Sequence, residues 1–517
     1  MSNPPELNSR QLEAVRSTDG PGIISAGPGT GKTRTFAHRV AHLLREKGVP
    51  ARDILAVTFT RSAAGEMRRR LERLLSGTPA AEGLAELWVE TFHAAALRIL
   101  RQEGYPFGPG VAFSVVPEEE KPVLLEGLMP RKEMGAFLEG VRRDKLRLRA
   151  PADGPGAEYQ RRLSTAKLLD YEDLFIFACR LFDEKPEVLE RYRGRFRHIL
   201  VDEFQDTSLA QYALLRRLAS GNVCVIGDPD QALYGFASGS FSPFERFKED
   251  FPGHRVLPLS ENYRSQAVIL EAAKQVIRRN RAQLPRDLRA RMERGLPVGI
   301  SEHRSDRQEA EMTARRIEGL LGGSSHFTID SRWAEKESES YAYGLDDIAV
   351  LYRFHAQARR FEEALGRVGL PYRTFGKKPK GDGGKDSAEE DLEDFREGKG
   401  PRGEGISLMT LHRAKGLEFP VVFLTGCEDG VLPFRRDEGG QAELEEERRL
   451  FYVGMTRAKS RLFISYAKRR LLFGSPREAG PSPFVKDIEE ELRVLEASRA
   501  PVKKKAARES QPSLFDL

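Results

Sequence analysis

Eight residues near the N-terminus, Ala26-Gly27-Pro28-Gly29-Thr30-Gly31-Lys32-Thr33, constrain this chain more than any other stretch. They follow a short apolar run, Gly22-Ile23-Ile24-Ser25, and precede a helical pattern from Thr35 to Arg45. A strand, a glycine-rich turn and a helix start are the context of a phosphate-binding loop. Glycines let the backbone curl so that its N–H groups face inward, and the helix N-terminus adds partial positive charge there. In that spacing Lys32 is placed to reach the β- and γ-phosphates of a nucleotide and Thr33 to ligate magnesium. Ala26 stands where the strict pattern has glycine, which leaves the geometry intact.

A matching acidic site appears downstream. Leu200-Val201-Asp202-Glu203 ends an apolar run with paired acids, within DEFQDT. Asp202 is suited to holding magnesium and Glu203 to accepting the proton of an attacking water. Phosphoryl transfer needs positioning, charge neutralisation and an aligned nucleophile, and these groups supply them. Gln231, in Gly227-Asp228-Pro229-Asp230-Gln231, follows another buried run and is placed to sense the γ-phosphate. Arg264 and Arg457 each follow apolar patterns and offer guanidinium groups to the transferring phosphate. The cofactors expected are ATP and Mg2+.

The rest of the chain repeats the α/β alternation. Ile54 to Phe59, Leu87 to Phe92, His198 to Asp202 and Val223 to Gly227 read as strands, with helices from Ala63 and Ala94. Such alternation predicts a parallel sheet wrapped by helices. Residues 104–165 lose the strand signal and look helical and basic. A second α/β unit is expected from Val256, with strands at Asp347–Tyr352, Ile406–Thr410 and Val421–Leu424. The division expected is a first nucleotide-binding domain at 1–103 and 166–255, a helical insertion at 104–165, and a second α/β domain at 256–376 and 406–490. Residues 377–405 have Leu392 and Phe395 as their only large apolar residues, a composition that supports no core, and read as a linker. Residues 326–344 read as a further loop, and 491–517 as a tail.

Net charge is +6 and the arginines cluster, at Arg68, Arg69, Arg70 and Arg73, at Arg142 to Arg149, and at Arg191 to Arg197. Such clusters suit a phosphate backbone, although a solvated helix face is the commoner reason for any one of them. Three scattered cysteines exclude a disulfide framework and follow no metal spacing. With no run of about 20 apolar residues and no leader-like N-terminus, the expectation is a reduced, soluble, cytoplasmic protein without membrane contact.

The ordered motifs together resemble the UvrD/Rep/PcrA group of superfamily 1 DNA helicases over nearly the whole chain. They are LNSRQLEAV, AGPGTGKTR, AVTFTRSAAGEMRRRL, TFH, LDYEDL, VDEFQDT, VIGDPDQALYGF, LSENYRS, DIAVLYR, GISLMTLHRAKGLEFPVVFL and EEERRLFYVGMTRAK. The resemblance implies two RecA-like domains with parallel sheets and ATP in the cleft between them. It implies that Gln11 and Arg34 contact the adenine edge and nucleotide, that Tyr263 stacks on the base and that Glu418 holds the ribose. Arg264 and Arg457 then reach the γ-phosphate from the second domain. Single-stranded DNA and its junctions with duplex become the partner. Phe59, Tyr234 and Phe236 line the track, and Thr91, His93, Arg353 and His412 lie along it. Base stacking on such aromatics contributes ~1–3 kcal/mol per base.

Two departures stand out. Relatives carry Trp where Phe236 sits and Arg where Ala237 sits, and a folded accessory subdomain where this chain has 377–405. The implied activity is a 3′-to-5′ translocase and helicase in repair or replication, with unwinding weakened or differently regulated. Helicase–nuclease subunits of the AddA or RecB kind fit less well, because little chain follows Arg470; an ATP-gated DNA-binding module is the alternative from another class. At the end, Gln511-Pro512-Ser513-Leu514-Phe515 resembles the peptide that docks on the bacterial sliding clamp, with Gln511, Leu514 and Phe515 as its anchors.

Overall fold

The computed structural model describes residues 7–151, 153–233, 241–281, 287–322, 343–376, 405–435 and 440–496. Helix α1 (Ser9–Arg16) leads into β1 (Gly22–Ala26), α2 (Lys32–Arg45), β2 (Ile54–Thr58), α3 (Arg61–Leu75), β3 (Trp88–Thr91) and α4 (Phe92–Glu103). The insertion follows: a short strand β4 (Ser114–Val115), helices α5 (Arg131–Leu146) and α6 (Gly154–Thr165), and β5 (Leu168–Leu169), which pairs with β4. The chain then returns through β6 (His198–Val201), β7 (Asn222–Gly227) and β8 (Arg255–Leu259). These form one all-parallel sheet in the order β3-β2-β6-β7-β1-β8.

Period-two alternation explains why both faces of this sheet are covered. Ile24 and Ala56 turn toward Phe36, Val40, Met67 and Leu71 of α2 and α3. Ile23 and Val57 turn to the opposite core, with Ile99, Phe175 and Phe182. Helix starts are set locally. Asn8 and Gln11 form a reciprocal capping box on α1, and the hydroxyls of Thr60 and Thr91 accept from Ala63 and Ala94 to cap α3 and α4.

The second sheet is also all-parallel. Two short strands, β9 (Glu261–Asn262) and β10 (Arg289–Ala290), pair with each other ahead of it. Its strands are β11 (Val298–His303), β12 (Ile348–Tyr352), β13 (Tyr372–Thr374), β14 (Ile406–Thr410), β15 (Phe419–Leu424) and β16 (Ala458–Ala467). A hairpin of β17 (Arg469–Leu472) and β18 (Ser475–Glu478) follows, and then β19 (Arg493–Glu496). The order is β13-β14-β12-β15-β16-β11-β19. Ala349 and Leu351 face one core while Ile348 and Val350 face the other.

The molecule is thus α/β, with two RecA-like motor domains built on parallel sheets. Three expected boundaries shift. Val256 lies within β8, which pairs with β1 from Gly22↔Arg255 to Ala26↔Leu259, so the first sheet ends later than residue 255. Parallel pairing demands a long crossover, and local sequence does not say which sheet a strand joins. The insertion runs on to β5, beyond residue 165. Arg493–Glu496, assigned to the tail, is an edge strand against β11. No helix among the described residues is long and apolar enough to cross a membrane. The linker from 377 to 404 and the loop from 326 to 342 lie outside the described residues.

Candidate nucleotide site and nucleic-acid track

The loop between β1 and α2 takes its shape from its glycines. Gly29 and Gly31 have φ of 65° and 80°, the left-handed region. They also permit close approach. A Cβ on Gly29 would lie 2.5 Å from the Cβ of Arg264, and one on Gly31 would lie 2.8 Å from Nε2 of Gln11. On Gly27 it would meet Leu288 at 2.7 Å. The Thr30 hydroxyl donates to the Gly27 carbonyl at 2.8 Å and closes the loop around Ala26 to Gly31. Lys32 and Thr33 are the first residues of α2, and no side chain caps that helix. Its first N–H groups stay available for phosphate oxygens.

Strand β6 carries the acids to the loop. Asp202 is buried at its end, and one of its carboxylate oxygens accepts from the Glu203 N–H at 2.8 Å. Glu203 follows in the left-handed region, at φ 48°, an unusual conformation for a side-chain-bearing residue. Its carboxylate reaches within 3.9 Å of the Lys32 ammonium. Burial favours a neutral Glu203, but Lys32, Lys415 and a hydrogen bond from Gln205 outweigh it and hold the group down to about 2. Asp202 moves the other way: burial, then the charge of Glu203, push it up to about 7. Glu203 is therefore ionised, and Asp202 is a buried carboxylate in want of a cation. The Thr33 hydroxyl and the Asp202 carboxylate are hard oxygen donors, and a magnesium ion that takes its remaining ligands from phosphate and water fits them.

The second half of the chain closes over this site. Asn262 donates to the Pro28 carbonyl at 2.7 Å, and the Tyr263 N–H to the Gly29 carbonyl at 2.9 Å. The next residue, Arg264, is thereby set beside the loop. Its guanidinium donates to Glu418 at 2.6 Å and to the Thr456 carbonyl at 3.4 Å. Glu418 also pairs with Lys459 at 2.8 Å, so the residue matched to the ribose here braces Arg264. Arg457 is buried and fixed by the carbonyls of Val453 and Leu417 at 2.9 and 3.1 Å. It also donates to the side-chain oxygen of Gln231 at 3.4 Å. Burial, then the neighbouring Arg264, lower Arg457 to about 9. Gln231 in turn donates to Asp228 at 2.6 Å.

Sequence reasoning missed Lys415. Its ammonium lies 2.6 Å from both carboxylate oxygens of Asp206 and 2.7 Å from the Gln231 carbonyl. The pair joins the acid motif of the first domain to the second domain across 209 positions of chain. A separation of that length leaves no local signal; the run LHRAKGLEF was the only hint.

At the base end, Gln11 is buried and donates to the Thr30 carbonyl at 2.9 Å. Arg34 stands on the first turn of α2. Tyr263 is 45% exposed, with its hydroxyl 2.7 Å from Asn8.

The residues matched to the DNA track are not equally open. Phe59 is 44% exposed. Thr91 is buried and spends its hydroxyl on the cap of α4. His93 packs edge-on against Tyr171 at 5.7 Å and, tilted, against Phe175 at 4.6 Å. Burial, then Arg142 and Arg61, lower His93 to about 4; burial, then Arg353 and Lys415, do the same to His412. Both rings are neutral at neutral pH. Arg353 forms a forked pair with the buried Glu447, at 2.9 to 3.2 Å, and lies 4.6 Å over the ring of Phe354. Tyr352, the aromatic that ends β12 beside Arg353, is wholly inside the core. Tyr234 and Phe236 lie outside the described residues, as do Gln511, Leu514 and Phe515.

The arginine clusters are largely engaged with acids. Arg70 pairs with Glu66, Arg142 with Glu172, Arg191 with Glu103 and Arg197 with Asp53. Lys145 is fully buried between Asp170 and Asp173, at 2.5 and 2.8 Å, and offers nothing to a phosphate backbone.

Comparison with known proteins places this geometry. The model of the UvrD/REP helicase N-terminal domain matches residues 7–153 and 149–252, and that of the UvrD-like helicase C-terminal domain matches 257–379 and 388–469. The chain is 30% identical to the ATP-dependent DNA helicase PcrA of Bacillus subtilis (strain 168), over 98% of this chain and 89% of the relative. It is 29% identical to that of Staphylococcus aureus (strain MRSA252), over 94% and 86%, and to that of Leuconostoc citreum, over 94% and 85%. The first alignment is 679 positions long against a chain of 517, so it includes positions that this chain lacks. With both halves matched in order, and with Asn262 and Tyr263 of the second half bonded to the phosphate loop, the chain belongs to the UvrD/Rep-like helicase family.

Proposed function

We propose that this chain couples hydrolysis of magnesium-bound ATP to 3′-to-5′ movement along single-stranded DNA. Family membership makes it an ATP-dependent DNA helicase; direction, translocation and a place in repair or replication are the finer reading. The observation that carries it is the meeting of the two halves at the phosphate site: Arg264 stands against Gly29, Arg457 donates to Gln231 and Lys415 pairs with Asp206. A site divided between two lobes changes as they part, which converts nucleotide state into motion.

In this reading the open N–H groups of α2 and Lys32 hold the phosphates, while Gln11, Arg34 and Tyr263 hold the base. Thr33 and Asp202 hold magnesium, which when bound neutralises charge on the β- and γ-phosphate oxygens. Glu203 takes the proton of the attacking water, and Gln231 orients it. Arg264 and Arg457 stabilise charge on the transferring group, a contribution worth ~10³–10⁵ in rate for such fingers. Glu418 trades Arg264 for the ribose when nucleotide enters. DNA lies across both lobes, stacked on Phe59, Tyr234 and Phe236 and contacted by Thr91, His93, Arg353 and His412.

Only 28 residues separate Gly376 from Gly405, too few for a sizeable accessory subdomain. The proposal is that translocation is kept and unwinding is weak or depends on a partner. The terminal peptide with Gln511, Leu514 and Phe515 fits a pocket of the bacterial sliding clamp. Stopped-flow translocation on end-labelled oligonucleotides, beside unwinding of tailed duplexes of both polarities with and without clamp, tests this. Movement toward the 5′ end with poor unwinding by the chain alone is expected. Movement toward the 3′ end, or an ATPase indifferent to DNA, would overturn it.

A further inference from the structure

Asn8, immediately ahead of α1, touches two of the three residues assigned to the base, Gln11 and Tyr263, and nothing in the preceding mechanism uses it. Its side-chain oxygen accepts from the Gln11 N–H at 2.8 Å, and its own N–H donates to the Gln11 side-chain oxygen at 3.1 Å. Its amide nitrogen donates to the Tyr263 hydroxyl at 2.7 Å and to a carboxylate oxygen of Glu261 at 3.2 Å. The Tyr263 hydroxyl donates to that oxygen of Glu261 at 2.5 Å, a charge-assisted bond. Arg291 pairs with the other oxygen of Glu261 at 2.5 Å.

These bonds close a ring on the phosphate loop. From the Gly29 carbonyl it runs through the Tyr263 N–H, the Tyr263 hydroxyl, Asn8 and the Gln11 amide, and returns to the Thr30 carbonyl. Two consequences follow. The Gln11 amide has one orientation, its oxygen toward Asn8 and its nitrogen toward Thr30. Each end keeps one further bonding site, and an acceptor beside a donor matches the amine and ring nitrogen of adenine. The Tyr263 ring, nearly half exposed, is also held at its far end and loses its freedom to swing.

We propose that Asn8 is a positioning residue of the nucleotide site, holding the Tyr263 ring in its base-stacking orientation and in register with Gln11. Glu261, braced by Arg291, is the second holder of the Tyr263 hydroxyl. This rests on the reading of Tyr263 as the stacking residue.

The test is steady-state ATP hydrolysis at saturating oligo-dT for Asn8→Ser, Tyr263→Phe, their combination and Tyr263→Ala, each checked for an unchanged melting temperature. Serine keeps the cap on α1 but loses both amide donors. Asn8→Ser and Tyr263→Phe are each expected to raise KM for ATP roughly three- to ten-fold, the scale of one hydrogen bond, with kcat within about two-fold. The combination should be no worse than the larger single effect, because both variants break the same bond. Tyr263→Ala should raise KM further. If Tyr263→Ala leaves KM unchanged, the stacking reading fails and this inference with it. If Tyr263→Ala raises KM while Asn8→Ser and Tyr263→Phe do not, stacking stands and the positioning role is overturned. Effects that add in the combination overturn it as well.

Discussion

At the scale of single residues, Glu203 and Asp202 show how neighbours on one turn are driven apart. Lys32 and Lys415 keep Glu203 ionised, while burial leaves Asp202 short of a cation. Glu203→Gln is expected to retain nucleotide binding and lose turnover by roughly 10²–10⁴, the usual worth of a general base; fluorescent-nucleotide titration beside phosphate release measures both. Lys32→Ala should impair the two together. Lys415 makes a different prediction. Burial, opposed by Lys415, leaves Asp206 at about 6, well above the ordinary aspartate value of 3.8. Its burial therefore opposes folding at neutral pH, and that cost is relieved as pH falls through 6. Lys415→Met strands the acid, and a stability loss of about 3 kcal/mol is expected at neutral pH. Urea melts at several pH values should show the deficit shrinking toward pH 5, as Asp206 takes up a proton.

His93 and His412 carry the opposite sign. Both sit at about 4 when folded, against 6.5 for a free imidazole, so between those values the unfolded chain binds more protons. Stability from these sites is complete above pH 6.5 and is lost as pH falls toward 4. NMR titration of the two rings should find no protonation near pH 6.

At the scale of elements, the phosphate loop was fully legible and the DNA track was not. Gly-x-Gly spacing before a helix has one geometric meaning, and the structure adds only the reason for the close fit: Arg264 and Gln11 stand where Cβ atoms would be. Gly29→Ala should accordingly abolish nucleotide binding with little change in fold, by circular dichroism and titration. Thr91, by contrast, satisfies a helix cap, and Arg353 an ion pair with Glu447. Such engagements come from neighbours distant in sequence or from the start of the next helix. A motif match names the residue without naming its partner in the free protein. Strand β8 teaches the same lesson, since its residues suit either sheet and only its pairing with β1 decides.

At the scale of the whole molecule, two lobes share one site, and the side-chain bonds that cross it among the described residues include the pairs Lys415–Asp206 and Arg457–Gln231. Such a joint suits opening and closing better than a buried apolar seam. Fluorophores on the two sheets should approach when an ATP analogue and oligo-dT are both present. Arg264→Ala should slow hydrolysis by ~10³ or more, because its guanidinium arrives from beyond the loop it serves.

Sequence by itself determined the chemistry and the fold class. A phosphate loop, a paired-acid strand end and alternating apolar runs are local patterns, and local geometry suffices to read them. Tertiary structure alone decided which cation meets which acid. Lys415 reaches Asp206 and Asn8 joins Tyr263 to Gln11 only because two sheets with separate cores bring their loop ends together, and Glu418 holds Arg264 because the second domain folds its own distant loops onto one edge. Those pairings span 154 to 255 positions. Over such spans no periodicity or spacing survives, and proximity is set by packing.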